Sequence, residues 1–150
     1  AVAQLGVPAP VVRTSPREWS PLVVGLETWL WVESWVSYSA SASLGGVRAT
    51  VTATPVSARF VTGDGGEVTC VGGGVPYDRS RSPEGQSSGC VHVYERRSTV
   101  SDPAGIYTLA VTVTYEVVWS ASNGQGGHLE PLTRSASIPV QVVESQPVIR

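Results

Sequence analysis

Apolar and polar positions alternate with a period of two along most of the chain. Val36, Tyr38, Ala40, Ala42 and Leu44 alternate with Ser37, Ser39, Ser41 and Ser43. After Gly45-Gly46, Val47, Ala49, Val51 and Ala53 alternate with Arg48, Thr50, Thr52 and Thr54. That period belongs to a strand with one dry and one wet face, and two glycines that accept positive φ make a two-residue hairpin turn. The pattern predicts a β-hairpin ended by Pro55. Upstream, Trp29 and Trp31 alternate with Leu30 and Val32, so this strand is apolar on both sides and is predicted to be buried. Val56–Thr62 and Glu67–Val71 are strands around the turn Gly63-Asp64-Gly65-Gly66, and His92–Glu95 is a short strand. The longest alternation is Ile106–Ser120, with Tyr107, Leu109, Val111, Val113, Tyr115, Val117 and Trp119 on one face. Extended, it would reach roughly 50 Å, far beyond a usual strand of about five or six residues. Either a bulge breaks it or its end projects as an arm paired with His128–Leu132 across the Asn123–Gly127 turn. The last strand runs to about Glu144, and Pro139 within it implies an edge position or a bulge.

Seven to nine strands with turn signals between them and no convincing helix predict an all-β, immunoglobulin-like antiparallel β-sandwich with a long projecting hairpin. The domain proper is expected over residues 27–145. A Pro-rich lead-in or linker precedes it over 1–26, where Val11–Val12 and Leu22–Val24 can add edge strands, and a tail follows over 146–150.

Composition narrows the class. The 150 residues carry a net charge of −2, from ten arginines and twelve acids, with no lysine and no basic stripe. Nucleic acid is therefore not an expected partner. The absence of lysine reads as coding bias of a GC-rich genome. With no methionine, the chain is expected to be a processed product or an excised fragment. No apolar run reaches the roughly 20 residues that span a bilayer as a helix. Cys70 and Cys90, with nineteen residues between them in a β-rich chain, predict one disulfide. It would contribute roughly 3 kcal/mol in the chain-entropy account. Two buried free thiols are the alternative. Secretion or display at the cell surface is inferred from these cysteines.

Phe60-Val61-Thr62-Gly63-Asp64-Gly65, followed by His92-Val93-Tyr94 and then Ile106–Tyr115, resembles polycystic-kidney-disease-type (PKD-like) domains. Those are immunoglobulin-like sandwiches with a Trp-Asp-Phe-Gly-Asp-Gly turn and a His-x-Tyr strand. Gly63, Asp64, Gly65, His92, Tyr94 and Tyr107 match. Phe60 replaces the tryptophan, Val61 the first aspartate and Thr62 the phenylalanine. The runs ETWLWV, SASASLGGVRATVTATP, GDGGEVTC, CVHVY and YEVVWSAS are similar to the C-terminal part of a family of secreted actinobacterial proteins often labelled ATP/GTP-binding. That resemblance implies a fold and export. It supplies no catalytic residues.

Each polar candidate has a structural explanation beside a functional one. Asp64 could join Glu67 or Asp78 around calcium, but such a site needs six to eight oxygens. With three aspartates and no Asp-x-Asp spacing, Asp64 is expected to bond the amides of its own turn. His92 has no triad partner in sequence, and the PKD-like resemblance makes it structural. Neither His92 nor His128 has zinc-ligand spacing. Gly72-Gly73-Gly74 lacks the lysine and the following helix of a phosphate loop, and is expected to permit a tight loop beside the disulfide. No catalytic residue, metal or cofactor is assigned. An exposed Tyr115–Val117–Trp119 stripe would mark an interface. The expectation is a non-enzymatic module that docks protein or self-associates, in an envelope or pilus-like assembly. A carbohydrate-binding module using exposed tryptophans is the alternative.

Overall fold

The structure, a computed structural model, describes residues 5–16, 21–98 and 105–144. The strands are β1 (Val11–Ser15), β2 (Leu22–Val23), β3 (Glu27–Glu33), β4 (Tyr38–Leu44), β5 (Val47–Val61), β6 (Glu67–Val71), β7 (Val91–Val93), β8 (Tyr107–Ala121), β9 (Gly126–Val140) and β10 (Val142–Val143). No α-helix separates them among the described residues, and the arrangement is an all-β sandwich. One layer is the antiparallel sheet β1-β3-β7. The other is β4-β5-β8-β9, with β6 also paired to β5. A short parallel pair joins β2 to β10.

The core lies between the layers because the alternating patterns of both converge there. Val12 and Thr14 of β1 stand opposite Val32 and Leu30 of β3, and all four are buried. From the other layer, Ala58 and Phe60 of β5 stand opposite Val113 and Val111 of β8. Fully burying a side chain of this kind contributes about 1.5–3 kcal/mol. The lead-in is part of this body: Leu5, Val7, Val12 and Leu22 belong to the core cluster.

Pro55 does not end the first hairpin. β5 runs through it, and the register against β8 slips between Pro55 and Ser57. On the opposite edge of β5, β4 pairs as far as Ala53 and β6 takes over at Ser57. Proline has no amide to donate, and here it sits in the gap between two partners. The long strand is real: β8 stays paired with β9 from Tyr107 to Ser120, with a second slip between Tyr115 and Val117. Its distal half is not a lone hairpin, since β4 and the first half of β5 accompany it as a four-stranded arm. Pro139 lies on β9, the outermost strand of that order. The chain then breaks at Gln141, and Val142–Val143 leave for β2.

Candidate functional site

Two regions concentrate the polar and apolar candidates: the Asp64 turn with its surroundings, and the distal arm. Between Val61 and Glu67 the chain reverses through Gly63 (φ 89°) and Gly65 (φ 93°). A Cβ on Gly63 would stand 2.6 Å from the Thr108 carbonyl oxygen, so the turn presses onto the backbone at the start of β8. Asp64 accepts hydrogen bonds from the Thr62 hydroxyl at 2.5 Å and from the Gly66 amide at 3.1 Å. Its other oxygen lies 2.8 Å from Nε2 of His92. Both side chains of this pair are 15% exposed. Burial opposes ionisation of Asp64, but the bonds from Thr62, His92 and Gly66 and the charge interaction with His92 outweigh it, holding the carboxyl below its usual range.

His92 reaches Asp64 because of its register. It pairs with Thr28 of β3, which faces the core, so the imidazole points across to the other layer. Gly66 is required for the same reason: a Cβ there would lie 2.6 Å from the His92 ring. Tyr94 packs edge-on against His92 at 4.6 Å, stacks on Tyr107 at 5.5 Å, and donates its hydroxyl to the Thr62 carbonyl at 2.9 Å. Burial, with smaller contributions from Asp64 and Tyr107, pushes its phenol far above the ordinary value. Tyr107 donates to the Arg96 and Arg97 carbonyls.

One strand position further along, Cys70 of β6 and Cys90 beside β7 form the disulfide, with a Cα–Cα distance of 5.6 Å. Cys70–Cys90, Asp64–His92 and Thr62–Tyr94 therefore run in order along one edge of the sandwich, joining β6 and its turn to β7. The predicted turn residues Gly63, Asp64, Gly65, His92 and Tyr94 are brought together here. The expected bond from Asp64 to an amide of its own turn is made by Gly66, whereas sequence reasoning missed Thr62, which completes the cluster. The signal for Thr62 was its place two residues before Asp64, within reach of a local side-chain bond.

A recess of ≈ 420 Å³ opens beside this cluster, lined by Asp64, His92, Glu95, Arg96 and Tyr107 among others. Thr62 donates to Asp64 and so is not poised as a nucleophile on His92. Among the described residues, no three His, Cys, Asp or Glu side chains gather as a metal site. Chemically, the arrangement is a tether between layers.

The glycine run also has a packing explanation. A Cβ on Gly73 would lie 2.4 Å from the Trp35 indole, and one on Gly74 would lie 2.4 Å from the Leu30 carbonyl oxygen. The Gly73 carbonyl accepts from the Val32 amide at 2.9 Å, and Gly74 bridges Trp31. These glycines let the loop lie against β3 with Trp35 folded over it.

The distal arm corrects the expected interface. Tyr115 and Val117 are buried within the chain, and Trp119 is half-buried. Tyr38 meets Tyr115 edge-on at 6.3 Å. Trp119 lies across β9, its Nε1 3.2 Å from where a Gly127 Cβ would be. Tyr115 is thus covered by Tyr38, a neighbour that the pattern of β8 alone could not reveal. The uncovered apolar side chains on the same face are Leu44 and Val47 at the tip of the β4–β5 hairpin and Leu129 on the outer strand β9, opposite Val117. On the opposite face, Ser37–Thr54, Ser39–Thr52 and Ser41–Thr50 join hydroxyl to hydroxyl between β4 and β5.

No protein-family model, no curated protein and no solved structure matches this chain.

Proposed function

We propose that this chain is a non-enzymatic, secreted or cell-surface β-sandwich module of PKD-like type that docks protein through its distal arm. The observation that carries this reading is the outer apolar face of the arm. Leu44, Val47 and Leu129 are exposed there, on the same face as half-buried Trp119, while Ser and Thr occupy the other face. A sheet face that is dry by pattern yet uncovered at its end favours contact with another protein. The disulfide accords with an oxidising compartment, and an envelope or pilus-like assembly is the setting in which such an arm would act.

The carbohydrate alternative draws less support. Trp29 is buried and meets Tyr77 edge-on at 5.0 Å, and Trp35 is folded onto Gly73. Neither offers a free flat ring to a sugar.

A photo-crosslinking residue in place of Leu129, introduced in the producing cell, tests the docking face. Protein adducts are expected at 129 and not at Val71, which is apolar and more exposed (88% against 39%) but lies away from the arm. Trp119→Ser should reduce the adducts while leaving the circular dichroism spectrum unchanged. Adducts absent at 129, or glycan adducts in their place, would overturn the reading.

A further inference from the structure

The two outer strands of the arm differ in a way that selects a partner. β9 carries Pro131 and Pro139 together with His128, Glu130 and Arg134. Prolines and charges are the usual means of stopping an edge strand from pairing with another chain. β4, Tyr-Ser-Ala-Ser-Ala-Ser-Leu, has no proline and no charge, and among the described residues it pairs with β5 alone. Its last residue, Leu44, is 88% exposed. The arm is defended on one edge and open on the other.

The hairpin geometry settles which groups β4 presents. Gly45 (φ 59°) and Gly46 (φ 82°) form the two-residue turn, and Leu44 stands opposite Val47. Residues flanking such a turn exchange both of their backbone bonds, and alternate residues along the strand do the same. Leu44, Ala42 and Ala40 therefore bond to β5, while Ser43, Ser41 and Ser39 aim their amides and carbonyls outward. These three serines also place their hydroxyls on the polar face, where Ser39 and Ser41 meet Thr52 and Thr50.

We infer that the outer edge of β4 pairs antiparallel with β4 of a second copy of this chain, about a two-fold axis at Ser41. The strand is its own complement. In this register Ser41 faces Ser41, Ser39 faces Ser43, Ala40 faces Ala42, and Leu44 packs on the partner subunit's Tyr38. The outward serines then exchange about six backbone hydrogen bonds, two for each facing pair. Serines adjoin serines on the wet face, and small apolar residues adjoin each other on the dry face. A slip by one residue would break both matches at once. Lack of charge on β4 removes the repulsion that usually opposes like edges. The result is one continuous sheet in which the two four-stranded arms lie side by side with a doubled dry face. This deepens the docking reading by naming a partner, and rests on it only in assigning association to the arm. Seven residues a side make a small contact beside the ~1,200–2,000 Å² of standard interfaces, so the dimer is reversible.

Charge at the axis tests it. Ser41→Glu and Ser41→Arg each place like charges face to face in a homodimer, and mixing the two variants places opposite charges there. Sedimentation equilibrium of the wild type should show a concentration-dependent dimer. Either variant alone should raise the dissociation constant about fivefold, and an equimolar mixture should recover the dimer, less so in high salt. Both variants lose the Ser41–Thr50 contact, so a folding defect would not be repaired by mixing. A wild type that stays monomeric up to its solubility limit, or a mixture no better than either variant, overturns the proposal. A dimer indifferent to both charges but lost in Trp119→Ser overturns the edge and leaves the docking face standing. Recovery on mixing without adducts at 129 does the reverse.

Discussion

Replacing Asp64 with alanine separates a tether from a decorative surface turn. The carboxylate accepts from the Thr62 hydroxyl, the Gly66 amide and His92. Thr62 is fully buried, so its hydroxyl loses its partner with no water at hand, a loss of about 1–2 kcal/mol. Gly66 and His92 line the open recess, where water replaces the carboxylate, and a few tenths of a kcal/mol each is the expected scale. The sum is about 2 kcal/mol, or a melting midpoint lower by about 4–8 °C for a chain of this size. Asp64→Asn should lose less, because its amide oxygen still accepts from Thr62 and Gly66. The two variants also differ from the wild type in pH dependence. The folded-state pKa of Asp64 is depressed, so its ionisation stabilises the fold fully above its unfolded value of about 3.9. That stabilisation is lost as pH falls through the lower folded value. The advantage of wild type over Asp64→Asn should therefore shrink as pH falls below about 4. Thermal melts across that range, with calcium or chelator making no difference, are the assay. An alanine variant that melts with the wild type, or an advantage that grows on acidification, would refute the reasoning.

Two further outcomes follow from the same edge and loop. The native protein should resist alkylation of Cys70 and Cys90 until reduced, and replacing both with serine should cost roughly 3 kcal/mol in urea denaturation. Gly73→Ala should cost more than Gly65→Ala: both need positive φ, but a Cβ at 73 strikes Trp35 while one at 65 meets nothing within 4 Å. A difference of about 1–3 kcal/mol and a red-shifted tryptophan emission in the Gly73 variant are expected. Equal melts would mean that Trp35 yields freely.

The strands and their wet and dry faces were legible in the sequence because they depend on neighbours two residues apart, which the chain itself supplies. Alternation marked β4, β5 and β8, the paired glycines marked their turn, and the spacing of Cys70 and Cys90 marked a bridge that is present. What covers each face was settled by the tertiary structure, because it depends on residues far apart in the chain. Pattern alone put Tyr115, Val117 and Trp119 on one face of β8 without showing what lay over it, whereas Tyr38, arriving from β4, packs against Tyr115, and Tyr115 and Val117 are buried. Pro55 read as a stop because proline lacks a donor, yet β5 passes through it since β4 and β6 meet on either side. Asp64 was legible as a turn residue, while its bond to His92 arose only when the register of β7 against β3 turned the imidazole toward the opposite layer. Local chemistry wrote the strands, and the packing of distant segments decided which of their faces stay open.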